Sequence, residues 1–155
     1  MASAKQSEDS PNNPNNSCFL CESQTLEESP ESLVIHKAEH NFIILNKYPY
    51  STGHLLVVPN KHEANLLNLS NESRRESTDL IDLSIEKLVD EYNPNGFNVG
   101  MNLGKAAGAG VPTHIHIHVV PRWEGDTNFM PVTGETKVQP ENLEATYNRL
   151  RKHWI

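Results

Sequence analysis

Two periods of apolar residues divide the chain. Leu33 to His36 and Phe42 to Leu45 are short apolar runs separated by the polar Lys37 to Asn41, which predicts a hairpin. His54 to Val58 predicts a third strand, ended by Pro59 after the turn residues Tyr48-Pro49-Tyr50-Ser51-Thr52-Gly53. The period then changes to that of a helix. Ile81, Ile85, Leu88 and Tyr92 recur at helical spacing between a capping Ser70 and the stop Asn93-Pro94-Asn95-Gly96, which predicts a helix from about Asn71 to Tyr92. The charged residues Glu72, Arg74, Arg75 and Glu76 read as its solvated first turns. Phe97 to Met101 returns to strand, Asn102 to Thr113 is a glycine-rich loop, and His114 to Val120 alternates with period two. A last helix is predicted from Pro140 or Glu141 to about Lys152, with Leu143, Tyr147 and Leu150 on one side. Three strands thus precede any helix. Without strict strand–helix alternation, these elements predict an α+β domain with an antiparallel sheet of about five strands, one long central helix and a C-terminal helix. Residues 1–16 are rich in Ser, Asn and Pro and are expected to be a disordered tail, leaving 17–155 as the domain.

Composition narrows the partners. The chain has 155 residues and a formal net charge of −7, which disfavours a nucleic-acid duplex or an anionic membrane as the main partner. No apolar run reaches membrane-spanning length and the first 16 residues show no hydrophobic signal segment, so a soluble, cytoplasmic protein is expected. The two cysteines lie together as Cys18-Phe19-Leu20-Cys21, which outside an oxidising compartment reads as a metal half-site or a redox pair.

The chemistry concentrates in His114-Ile115-His116-Ile117-His118. In a strand, the three histidines share one face and Ile115, Ile117 and Val119 the other, so the imidazoles would be mounted on an apolar support. Imidazole serves as metal ligand, nucleophile or proton carrier near neutral pH. Just upstream, Gly104-Lys105-Ala106-Ala107-Gly108-Ala109-Gly110 suits either a tight turn or a loop whose backbone N–H groups converge on a phosphate. Isolated histidines at 36, 40, 54 and 153 carry no chemistry by themselves.

His114-Ile115-His116-Ile117-His118-Val119-Val120 resembles the histidine-triad motif, and Gly53-His54-Leu55-Leu56-Val57-Val58-Pro59-Asn60-Lys61-His62, Asn102 and the N-terminal cysteines stand in the order that family shows. The glycine loop and the segment from Arg122 to Pro131 are most similar to the branch related to diadenosine tetraphosphate phosphorylases. The resemblance implies a homodimeric nucleotidyl transferase or hydrolase acting at the α-phosphate of dinucleoside polyphosphates. It implies His116 as the nucleophile that forms a nucleotidyl-histidine, with His118 donating to a phosphate or leaving oxygen. It implies a ribose contact from Asn46 and one structural zinc per chain on Cys18, Cys21, His62 and His114; Asn102, the backbone donors of Gly108, Ala109 and Gly110, Thr113 and His118 are candidates for phosphate contacts, and Trp123 for stacking on a base of its own or a partner subunit or for simple packing. Phe19, Leu20 and Phe42 are candidates for apolar walls of the nucleoside pocket as well as for the core. The chain departs from the commoner family pattern at Gly108-Ala109-Gly110-Val111, where Gly-Gln-Ser or Gly-Gln-Thr is usual, and at Asn46, where many relatives have Asp. Competing expectations are a water-dependent hydrolase of nucleoside phosphoramidates or adenylates, a nucleotide-binding adaptor, and a three-histidine catalytic metal centre.

Overall fold

The computed structural model describes residues 18–126 and 141–154. The segments expected to be a tail (1–16) and much of the stretch after the triad (127–140) lie outside the described residues. The elements run α1 (Phe19–Thr25), β1 (Val34–Lys37), β2 (Asn41–Leu45), β3 (Leu55–Pro59), α2 (Asn71–Tyr92), β4 (Gly96–Gly100), β5 (Ile117–Arg122) and α3 (Leu143–Arg151). The five strands form one sheet in the order β1-β2-β3-β5-β4, every neighbouring pair antiparallel. This is the expected α+β architecture.

β2 and β3 are buried along their whole length, with Phe42, Ile43, Ile44, Leu55, Val57 and Val58 inaccessible to solvent, as apolar runs without alternation require. Across the sheet lies α2, capped where the sequence predicts: Ser70 accepts from the Ser73 N–H, and Asn93 closes the other end in the left-handed conformation. Its most buried face is Ser73, Ser77, Leu80, Ser84 and Leu88, one strip over from the predicted isoleucines, which are only partly buried. Small serines let the helix approach the sheet. Their hydroxyls return to the helix backbone, Ser84 Oγ donating to Leu80 O (2.7 Å) and Ser77 Oγ to Arg74 O (2.7 Å).

Four expectations are corrected. A helix, α1, precedes the strands; at seven residues it shows no usable periodicity, and it docks by burying Leu20 in the core. Glu76 is not simply solvated: its carboxylate accepts from Glu39 N, His40 N and Asn41 Nδ2, tying the β1–β2 turn to α2. Finally, β5 begins at Ile117 rather than His114 and continues to Arg122, while α3 begins at Leu143 under an Asn142 cap.

Candidate active site and metal centre

The register of β5 places the triad. His118 pairs with Leu56 of β3 on one side and Gly100 of β4 on the other. The long loop 101–116 therefore leaves the sheet beside His118 and returns beside it. His114 and His116 sit in the final, irregular part of that loop, and Ile115 N–H donates to Glu63 O at 2.8 Å to hold it. Behind them Ile115, Ile117 and Val119 are buried, as the alternation predicts.

The three imidazoles nevertheless do different things. Backbone contacts decide where each keeps its proton. His116 Nδ1 lies 2.9 Å from His114 O; a carbonyl only accepts, so Nδ1 carries the hydrogen and Nε2 keeps its lone pair. His114 Nε2 lies 2.8 Å from Pro59 O, so Nε2 carries the hydrogen and Nδ1 presents its lone pair to the cysteine sulfurs. His118 is set through a residue that sequence reasoning left without a role. His54 is fully buried, and its Nδ1 accepts from the Tyr50 N–H at 3.1 Å. The hydrogen of His54 is thereby on Nε2, which donates to His118 Nδ1 at 2.8 Å. His118 must then carry its own hydrogen on Nε2. The site thus pairs a lone pair on His116 Nε2 with an N–H on His118 Nε2, their rings edge to face with centroids 5.2 Å apart.

Electrostatics keep His54 and His118 neutral. Burial, then the neighbouring His118 and His116, drive the His54 pKa down to about 3. Burial, then His116, lowers His118 to about 4. The signal in the sequence that could have found His54 is its place at the head of β3, directly after Gly53, which has φ of +82° and no room for a Cβ against Leu88 Cδ2 at 2.9 Å.

Asn46 reaches the same cluster, its Nδ2 being 3.4 Å from both ring nitrogens of His54 while its Oδ1 accepts from Tyr48 N–H. In the glycine loop, Lys105–Ala107 forms a 3-10 turn flanked by Gly104 and Gly108 at φ of +84° and +88°. Two of the expected phosphate donors are engaged within it: Gly108 N–H donates to Lys105 O (3.0 Å) and Ala109 N–H to Gly104 O (3.4 Å). Asn102 and Gly110 are exposed and Thr113 is half-buried on the same loop. Trp123 is not brought to these residues. It lies five positions beyond His118, about 17 Å along an extended chain, with its ring edge-on to Tyr92 at 6.4 Å. Leu20 and Phe42 are core residues, whereas Phe19 is 43% exposed.

Cys18, Cys21, His62 and His114 converge, their ligand atoms all within 4.8 Å of one another. Cys18 Sγ is 3.4 Å and Cys21 Sγ 3.5 Å from His114 Nδ1, and Cys21 Sγ is 3.2 Å from His62 Nδ1. These are the edge lengths of a tetrahedron with ligand bonds of about 2.0–2.3 Å. The four residues could therefore hold a metal ion, and the Pro59 carbonyl on the far nitrogen of His114 is the outer partner a ligating imidazole needs. With His114 turned toward the cysteines, the three triad histidines form no common metal centre.

A family model, the HIT domain, matches residues 27–125. An "AP-4-A phosphorylase" of Mycobacterium tuberculosis is 40% identical over 124 residues, 80% of this chain. The chain spans 64% of that relative's length, just under two thirds. An uncharacterized 16.1 kDa HIT-like protein of Mycoplasma pneumoniae is 33% identical over 89% of this chain and 92% of its own length. Among solved structures, a Zn-bound histidine triad family protein of Mycobacterium smegmatis superposes with a TM-score of 0.70 at 26% identity, covering 88% of this chain and 92% of the other. On that family match, the chain belongs to the HIT domain family.

Proposed function

We propose that the chain is an enzyme that transfers a nucleoside monophosphate from a dinucleoside polyphosphate, through His116, to inorganic phosphate. The observation that carries this is the pair of ring nitrogens in neighbouring imidazoles: a lone pair on His116 Nε2 and an N–H on His118 Nε2. In the first step His116 Nε2 bonds to the α-phosphorus and the bond to the bridging oxygen of the departing polyphosphate breaks. The new nucleotidyl-imidazolium keeps its Nδ1–H on the His114 carbonyl, which takes up part of the positive charge. His118 donates a hydrogen bond, not a proton, to an oxygen of the transferring group. Asn46, Asn102, Gly110 and Thr113 supply the remaining polar contacts, and Gly108 and Ala109 shape the loop that presents them.

The lowered pKa of His118 supports the phosphorylase reading. At neutral pH it is an uncharged imidazole, so it has no acidic proton to give an amine leaving group and little basicity to activate water. A polyphosphate leaves without a proton, and a phosphate ion attacks the N–P bond already deprotonated. Both steps of a phosphorylase therefore suit this site better than hydrolysis of a phosphoramidate. The 40% identity to the Mycobacterium tuberculosis protein supports the same choice. Incubation with diadenosine tetraphosphate, with and without phosphate, is the test. ADP and ATP are expected with phosphate, and His116→Ala should lose essentially all turnover. A product set indifferent to phosphate would overturn the phosphorylase version, and an active His116→Ala the whole proposal.

The metal in the Cys–Cys–His–His group is proposed to be zinc, since two thiolates and two imidazoles form a closed, borderline-soft set. Bound there, zinc would join α1, the segment after β3 and the triad loop without occupying His116. About one equivalent per chain is expected by elemental analysis of protein purified without chelator, falling sharply in Cys18→Ser. A homodimer is also proposed, supported by β4 being an outer strand of the sheet with Val99 (46%) and nearby Leu103 (46%) exposed.

A further inference from the structure

Tyr50 is 70% exposed, yet its ring lies nearly parallel to that of His118, with centroids 5.7 Å apart and an interplanar angle of 17°, and tilts against His54 at 4.6 Å. The hydrogen bond from Tyr50 to His54 comes from its backbone N–H, which any residue but proline could supply. A large aromatic face left in water one ring away from reactive imidazoles therefore needs another reason.

Position supplies it. The rings follow one another as His116, His118 and Tyr50, at successive separations of 5.2 and 5.7 Å. In-line displacement sends the leaving group away from the attacking His116 Nε2, and His118, which in this reading donates to an oxygen of the transferring group, has Tyr50 as its neighbouring ring. Given the dinucleoside polyphosphate reading above, on which this step rests, the departing half ends in a second nucleobase. We infer that Tyr50 is a specificity residue of the leaving-group half, its open face stacking on that base. A flat apolar surface recognises any base by its π-face, so the selectivity is for substrates carrying two nucleosides over those carrying one.

The test compares parent, Tyr50→Phe and Tyr50→Ala on diadenosine tetraphosphate and on adenosine 5′-tetraphosphate, which has the same phosphate chain and lacks the second base. The ratio of kcat/KM for the two-base over the one-base substrate should fall about tenfold or more in Tyr50→Ala, mainly through KM, as expected for one lost base–aromatic stack. Tyr50→Phe should keep the parent's ratio. The inference is overturned if the Tyr50→Ala ratio stays within about twofold of the parent, or if Tyr50→Phe falls as far. Binding separates this from failure of the enzymatic reading. In a His116→Ala background, adding Tyr50→Ala should weaken calorimetric affinity for diadenosine tetraphosphate about tenfold, and an unchanged Kd sinks the stacking even if the parent proves catalytically inert.

Discussion

At the scale of the residue, the chemistry of this site is written in proton positions. Four imidazoles of the same chemical type are made to differ by what the backbone offers one ring nitrogen: Pro59 O for His114, His114 O for His116, Tyr50 N–H for His54, and through His54 a fixed donor for His118. Removing the third of these should disturb the fourth. His54→Leu is expected to lower kcat about 10- to 100-fold with little change in KM, the usual scale for a residue that orients another. His54→Gln, which retains an N–H donor at a comparable reach, should recover part of the loss. Steady-state kinetics on variants shown by circular dichroism to be folded checks this. The same neutrality makes stability depend on pH. Both pKa values lie below the ordinary imidazole value of 6.5, at about 3 and about 4, so the unfolded chain binds more protons as pH falls below 6.5. The stabilisation these groups give is complete above that pH and is lost progressively from about 6.5 toward 4 for His118 and toward 3 for His54. Two histidine Cε1 proton resonances should accordingly show no titration between pH 8 and 5. If all the histidines titrate near 6.5, the hydrogen-bonded chain is wrong.

At the scale of the element, the site depends on where strands begin and how loops are pinned. Gly53 ends the turn before β3 at φ of +82°, where an added Cβ would meet Leu88 Cδ2 at 2.9 Å and Pro121 Cγ at 3.4 Å. Gly53→Ala therefore combines backbone strain with overpacking and is expected to cost about 2–3 kcal/mol in urea unfolding. The sequence was most readable where one period ran long. α2 could be bounded to the residue because a cap, a 22-residue helical pattern and an Asn-Pro stop agree. Of the four residues that could hold a metal, Cys18 and Cys21 read as a half-site by themselves, whereas His62 and His114 joined them only through the family resemblance. α1 was not readable, since seven residues hold too few turns to show a period, and its buried face is only Leu20 and Ser23. The serine strip of α2 was hidden for a related reason: a small polar residue that satisfies its hydroxyl within its own helix is buried without looking apolar. His54 escaped because its role is relational, set by a contact with a residue 64 positions away.

At the scale of the whole molecule, one residue of the triad segment points beyond the single chain. Trp123 stands at the end of β5 remote from His118, beside Gly96 and Arg122, where β4 begins. Its ring is edge-on to Tyr92 of α2, away from His116 of its own chain along β5. If Trp123 serves nucleotide binding at all, it must do so across the proposed dimer, whose most economical interface is the β4 edge with Val99 and Leu103. Two consequences can be separated. Val99→Lys with Leu103→Lys should shift sedimentation velocity from dimer to monomer at micromolar concentration, because each places a charge where apolar surface would be covered. Complementation then reports the tryptophan itself. When His116→Ala and Trp123→Ala chains are unfolded and refolded together in equal amounts, about half the dimers are mixed, and each of these holds one site with both His116 and a partner's Trp123. Turnover should rise to about a quarter of the parent's, above the mean of the two variants assayed alone. Activity that stays at that mean would confine Trp123 to packing against Tyr92, and leave each nucleotide site to be built by one chain.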